Sequence, residues 1–436
     1  MAKKHWFGVL SAFMCVIVLA ACGKTNPSSS EPSAVQESTL QASALPGSDI
    51  KCVNENYTYG SGNSTGYYYL IQDESANYIL HYIDYATLKD IVLCSAPNCS
   101  HDSDTCSARF AYCGTPANVS VTENAVYLLF SGSPWTQSAY ETYGKEALPH
   151  LVKCNLDGSD RKTISEFEAD CTISSIPAID GAKMYIIITS YADASGTGVQ
   201  KLVSIDLESG AQSDLNLTLN SESETQTYAG TQLSPESRIV GACGRKIVIQ
   251  ALAGVDTSSY ITYNVDTQEV EKLYNDSQVV SCVCKDDSCY LLEEATGVIR
   301  EINIDSGEET EIPTDLLKDR TLTWITLAYV TDRGYVIQAK EDSETSNFLI
   351  DHSGNVLKQS IRIQSPDPQD KKRQLQIFDQ WNGFYLVSPS RDFISMLVPG
   401  ENNTFYNLNE VKYAFALIAQ DDFWNDTEVY ENIVGI

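Results

Sequence analysis

Basic residues are scarce in this chain. Over 436 residues, 29 Lys and Arg stand against 58 Asp and Glu, a formal net charge of -29. Nucleic-acid binding draws on a basic surface that releases counterions from phosphates, so no nucleic-acid partner is expected. Adsorption to an anionic membrane through a polybasic patch is disfavoured on the same ground. Histidines number only five, which leaves little scope for His-based acid–base chemistry. The sequence has no P-loop, no G-x-G-x-x-G and no H-E-x-x-H, and no D-x-D-x-D-G calcium loop. The one G-x-S-x-G match, Gly62-Asn63-Ser64-Thr65-Gly66, reads as a hairpin turn. A nucleophile elbow needs a strand before the serine and a helix after it, and here a Tyr-rich strand follows. No residue is singled out as catalytic.

Long apolar runs are lacking too, with one exception. Trp6–Ala21 is apolar, follows Lys3 and Lys4, and ends in Leu19-Ala20-Ala21-Cys22. It is short for a membrane span of about 20 residues and has the layout of a signal sequence. Residues 1–21 are therefore expected to be a lipoprotein signal peptide. Its end resembles the bacterial lipobox, which implies that Cys22 is lipid-modified and becomes the new N-terminus. Residues 22–50 then form a lipidated, Ser/Pro-rich tether without apolar periodicity. The expected location is the cell membrane, lipid-anchored and facing the extracytoplasmic side.

What the chain does have is aromatic and aliphatic residues in a repeat. Hydrophobic residues make up 43% of it and tyrosines number 25, enough to build a large core. A turn followed by an apolar strand recurs at Gly66–Ile71, Asn124–Leu129, Gly181–Ile187, Gly244–Ile249, Ser288–Leu292, Gly334–Ile337 and Gly383–Val387. Each copy leads to a second strand ending in an Asp or Gly turn, as in Ser204–Gly210, Ile302–Gly307 and Phe348–Gly354, with Met396–Gly400 as the last. Short strands repeated at this interval predict an all-β fold over residues 51–436. The expected architecture is a β-propeller of about seven four-stranded blades, with six or eight as alternatives. The ring is expected to close by pairing of the C-terminal strand with the first blade, and Lys412–Ile418 is the segment assigned to that pairing.

Thirteen cysteines are present; setting aside Cys15 and Cys22 leaves an odd eleven. Cys94-x4-Cys99-x-His101-x4-Cys106 gathers three thiols and an imidazole within 13 residues. Two readings stand side by side: a structural zinc, which takes this mix of ligands, or disulfides, which an extracytoplasmic location permits. Asp102 and Asp104 are candidates for orienting His101. Cys284 with Cys289, and Cys154 with Cys171, are candidate pairs. His81 is read as sheet surface, His150 and His352 as solvated, and Asp286-Asp287, Glu293-Glu294 and Asp421-Asp422 as solvated turns. Trp135 and Tyr140 lie in a longer connection, Ser131–His150, and are candidate binding-face residues, because loops on one propeller face usually carry function.

The turn Asn155-Leu-Asp-Gly-Ser-Asp-Arg-Lys-Thr163 resembles the LDGSNR-type turn of the YWTD propellers of low-density lipoprotein receptors. Together with the cysteine run and Ala416–Trp424, the chain resembles uncharacterised lipoproteins of Gram-positive bacteria that carry a related propeller. The regular YWTD strand motif is absent, so receptor-type ligand binding does not carry over. The resemblance implies an extracytoplasmic propeller and no particular activity. The functional expectation is binding of a peptide, glycan or envelope protein without catalysis. Two alternatives are a carbohydrate-active enzyme with carboxylates at the central channel and a structural or sensory component of an envelope complex.

Overall fold

A computed structural model describes residues 49–52, 60–111, 117–132, 141, 144–173, 175–191, 198–218, 226–228, 231–233, 237–252, 258–275, 279–342, 344–360, 362–364, 372–399 and 405–435. The chain divides into Met1–Leu45 and Pro46–Ile436, and all described residues belong to the second unit. The expected signal peptide, Cys22, Trp135 and Tyr140 lie outside the described residues. Among the described residues, no helix is long and apolar enough to cross a membrane.

Seven four-stranded antiparallel sheets follow one another along the chain, which makes the fold a seven-bladed β-propeller. Blade 1 comprises Gly60–Gly62, Gly66–Gln72, Tyr78–Asp84 and Lys89–Val92. Blade 2 comprises Ala117–Val121, Ala125–Phe130, His150–Asn155 and Lys162–Glu166. Blade 3 comprises Ala178–Ile179, Lys183–Tyr191, Gly198–Asp206 and Gln212–Thr218. Blades 4, 5 and 6 begin with Arg238–Cys243, Val279–Lys285 and Leu322–Thr331. Blade 7 comprises Ile377–Trp381, Phe384–Pro399, Phe405–Ala419 and Tyr430–Asn432. The first strands of neighbouring blades touch one another around the axis, so they are the inner ones.

The repeat legible in the sequence is the second strand of every blade. Its two faces pack against different neighbours, so both must be apolar. In blade 1, Tyr68 and Leu70 join Val119, Leu128 and Phe130 between blades 1 and 2. Tyr67 and Tyr69 point the other way and join Leu386 and Leu417 of blade 7. In blade 2, Tyr127 and Leu129 meet Met184 and Ile186 of blade 3, and the strand Ala125–Phe130 is buried along its whole length. This is the strand equivalent of a run apolar on both faces, as found wherever a sheet is covered on two sides. Burial at roughly 25 cal/mol per Å² of apolar surface makes these seams the main stabilising term.

The last blade departs from the expectation. Phe384–Pro399 and Phe405–Ala419 form one extended hairpin, paired from Phe384↔Ala419 to Pro399↔Phe405. Met396–Pro399 therefore belongs to the second strand of blade 7, not to the strand after it. Lys412–Ile418 has a partner within its own blade and does not close the ring. The reason is length: a strand long enough to overhang the blade brings Met396 and Val398 onto Ala76 of blade 1. Closure falls to the last residues, Val434–Gly435, which pair in parallel with Lys89 and Asp90 at the outer edge of blade 1. Polar contacts reinforce this seam. Tyr85 Oη donates to Asp379 Oδ2 at 2.5 Å, and Trp381 Nε1 donates to the Ser64 carbonyl at 3.2 Å.

The chain enters the ring at its centre. Lys51–Cys52 pairs antiparallel with Ala178–Ile179 on the inner side of blade 3. The buried Ile50 donates its N–H to the carbonyl of Gly244, in the first turn of blade 4, at 2.8 Å. Cys154 and Cys171 lie in different apolar layers, between blades 1 and 2 and between blades 2 and 3. Both are free thiols, so the expected pair is not made.

Asp379 gives the seam a pH dependence. Burial pushes its carboxyl up to about 6, against the pull of the Tyr85 hydroxyl and the Gln380 N–H. The folded state thus keeps a proton that the unfolded chain has lost, between the ordinary carboxylate value near 3.8 and about 6. Stability contributed at this site is greatest below that window and declines as pH rises through it. The expected result is that Asp379→Asn gains stability relative to the parent protein between pH 4 and pH 7 in denaturant titrations. A difference that stays constant with pH would refute this assignment.

Candidate metal centre

The connection from blade 1 to blade 2 carries the cysteine run. It leaves the outer strand at Leu93, whose N–H bonds to the Leu80 carbonyl. It returns at Arg109–Phe110, which pairs with Ile79 and Tyr78 of the same blade. The run is thus pinned at both ends to one sheet. Between them, Asn98 and His101 take left-handed backbone conformations, with φ of 58° and 61°. These two reversals coil the loop so that its three thiols and one imidazole converge. One ligand atom from each of Cys94, Cys99, His101 and Cys106 lies within 4.8 Å of every other. His101 Nδ1 is 3.4 Å from Cys106 Sγ. A zinc tetrahedron with bonds of about 2.3 Å to sulfur and 2.0 Å to nitrogen sets its ligand atoms roughly 3.5–3.8 Å apart. The loop therefore has the donors and the spacing for one such ion.

The surroundings favour thiolates at one ligand. Burial opposes charge on Cys94, but the Ala96 N–H, the Ser107 hydroxyl and the Cys106 and Cys99 thiols outweigh it and bring its thiol down to about 6. Burial dominates at Cys106, which rises to about 11 despite the Ala108 N–H. Cys94 is thus disposed toward the thiolate, while Cys106 holds a proton that a bound cation would displace.

The loop is also gripped from blade 2. Arg161 lays its guanidinium over the Phe110 ring at 4.6 Å. It donates to the carbonyls of Cys106, Ser107 and Arg109 at 3.4, 3.3 and 2.5 Å. Arg161 belongs to the turn after Asn155. In that turn Gly158 has a φ of +76°, and a Cβ there would stand 2.1 Å from the Leu93 carbonyl. Only a residue without a side chain allows this approach. Arg161 and Gly158 were not predicted as site residues; the turn that holds them stood out in the sequence only as a resemblance.

Several expectations need correction. Asp102 and Asp104 do not orient His101: Asp102 accepts from Ser100 Oγ, and Asp104 from Arg109 Nη1 at 2.6 Å. Both are exposed and already accept from these nearer donors. His150 is not solvated. It starts a strand, stacks on Phe130 with ring centroids 4.5 Å apart, and its Nδ1 lies 2.7 Å from the Leu148 carbonyl. Glu293 is buried rather than a solvated turn residue; the Arg300 guanidinium approaches to 2.5 Å and compensates its charge. His81 lies on its sheet as expected, 2.9 Å from Asp90 Oδ1. Ser64 sits in the turn between the first two strands of blade 1, where its Oγ donates to Glu123 Oε2 at 3.0 Å.

Topology sets the cysteine loop in a wider context. Successive strands of a blade run antiparallel, so the connection out of blade 1 and the connection between the second and third strands of blade 2 end on the same rim. The second of these is the one that holds Trp135 and Tyr140.

Removing the grip from blade 2 tests this architecture. Arg161→Gln gives up charge-assisted hydrogen bonds worth about 1–3 kcal/mol. The expected outcome is amide exchange about tenfold faster or more across Cys94–Ala108, with the blade cores unchanged, in hydrogen-exchange mass spectrometry. Unaltered protection of the loop would show that it is held without blade 2.

No known protein family matches the sequence, and no curated protein matches it. Among solved structures, the chain is similar to a GH74 enzyme of Niastella koreensis, with TM-score 0.48 and 11% identity over 89% of this chain and 54% of that one. It is similar to a PL25 ulvan lyase, with TM-score 0.44 and 8% identity over 88% of this chain and 100% of that one. It is also similar to an oligogalacturonate lyase in complex with manganese, with TM-score 0.40 and 10% identity over 70% of this chain and 75% of that one.

Proposed function

We propose that this protein is a lipid-anchored, extracytoplasmic propeller that binds a peptide, glycan or envelope protein without catalysis. In this reading a structural zinc holds the blade 1–blade 2 rim. Residues 1–21 are the signal peptide, Cys22 carries the lipid, and the tether leads to the propeller. The observation that supports a binding role is the closed set of Cys94, Cys99, His101 and Cys106. Four protein donors fill a tetrahedral ion and leave no position for a reacting water, so such an ion orders a surface rather than activating a substrate. In this reading the partner meets the ordered loop together with Trp135 and Tyr140 of the long connection of blade 2. The proposed kinship with Gram-positive lipoproteins rests on the lipobox and the cysteine run.

Two measurements test this. Zinc per chain, measured by elemental mass spectrometry, is expected to fall by about one equivalent in His101→Ala relative to the parent. An unchanged metal content would remove the zinc. Cys22→Ser is expected to move the protein from the membrane fraction to the soluble fraction, and continued membrane retention would remove the anchor.

A further inference from the structure

A second convergence of cysteines lies between blades 4 and 5. Cys243 ends the inner strand of blade 4, and Cys284 and Cys289 flank the first turn of blade 5. Their sulfur atoms all lie within 4.8 Å of one another. Cys284 and Cys289 are register partners across the hairpin, and their thiols meet at 2.9 Å. Cys282 is two residues before Cys284, so strand alternation sends both side chains to the same face. It packs against the same apolar layer, outside the three sulfurs that lie mutually close. All four are free thiols.

The setting is apolar. Cys243 and Cys289 are buried in the layer built by Val248, Tyr260, Leu291 and Ile302. Cysteines used only as small hydrophobes have no reason to converge on one point. Gly241 makes room for them: a Cβ there would stand 2.3 Å from Cys284 Sγ. Besides its sulfur neighbours, Cys243 Sγ donates to the Ser288 carbonyl at 3.5 Å.

The geometry points to a second metal site, in which Cys243, Cys284 and Cys289 hold one thiophilic divalent cation, with Zn²⁺ as the ion to test, across the seam between blades 4 and 5. The ligands bind as thiolates and their protons pass to solvent, so no oxidant or reductant takes part. An all-sulfur set suits zinc, and three thiolates leave the fourth tetrahedral position to a further ligand. The competing chemistry is a Cys284–Cys289 disulfide across the hairpin.

The test uses the full chain with His101→Ala and Cys99→Ser, which disables the loop site and leaves this cluster untouched. Protein purified without reductant is stripped with chelator and titrated with Co²⁺ and then Zn²⁺. The expected result is one equivalent of Co²⁺, with a thiolate-to-cobalt charge-transfer band that Zn²⁺ displaces. Adding Cys243→Ser, or separately Cys289→Ser, is expected to weaken or abolish the band. No cobalt uptake in the His101→Ala, Cys99→Ser protein would overturn the proposal, and so would a Cys284–Cys289 disulfide peptide in the freshly purified chain. Because the loop ligands are already absent, failure here is separable from failure of the loop site.

Discussion

The structure depends on one constraint: the second strand of each blade is covered on both faces. Alternate residues of a strand point to opposite sides, so in a lone sheet one set would meet water. Here Tyr67 and Tyr69 serve the seam to blade 7 while Tyr68 and Leu70 serve the seam to blade 2. No blade completes its core alone, and each exists as a stable sheet only because two neighbours cover it. The requirement runs around the ring until blade 7 meets blade 1. There the apolar seam gains the Tyr85–Asp379 and Trp381–Ser64 hydrogen bonds and the short parallel pairing of Val434–Gly435.

That constraint is why the fold was legible. Doubly covered strands read as compact apolar runs behind a turn, and each of the seven such runs is the second strand of a blade. The outer strands gave no comparable signal, because Lys89–Val92 and Glu309–Ile312 are exposed or half-buried along most of their length. The overhanging hairpin of blade 7 was misread for a related reason. Met396 and Val398 look like a new strand because they are apolar, but they cover Ala76 at the far end of an existing one. Closure by two residues at the chain end leaves no pattern to read.

The candidate metal centre was legible as a set of ligands, because its four residues are close in sequence. Its support was not. Arg161 reaches the loop from the next blade, and Gly158 matters through the space it leaves beside Leu93. The cluster of Cys243 with Cys284 and Cys289 was hidden by distance along the chain: blade packing, not local spacing, brings the first to the other two. The two clusters share one design, in which soft ligands lie where adjacent blades meet.

The central entry of the chain has a mechanical consequence. Lys51–Cys52 lies alongside Ala178–Ile179, and Ile50 is held by the first turn of blade 4. A force directed along Lys51–Cys52 acts along the paired strands. It loads their hydrogen bonds together in shear, whereas a chain leaving from an outer edge would be peeled one bond at a time. A pull would be carried by the inner strands of blades 3 and 4, deep in the ring. The outer closure of blade 1 would be spared.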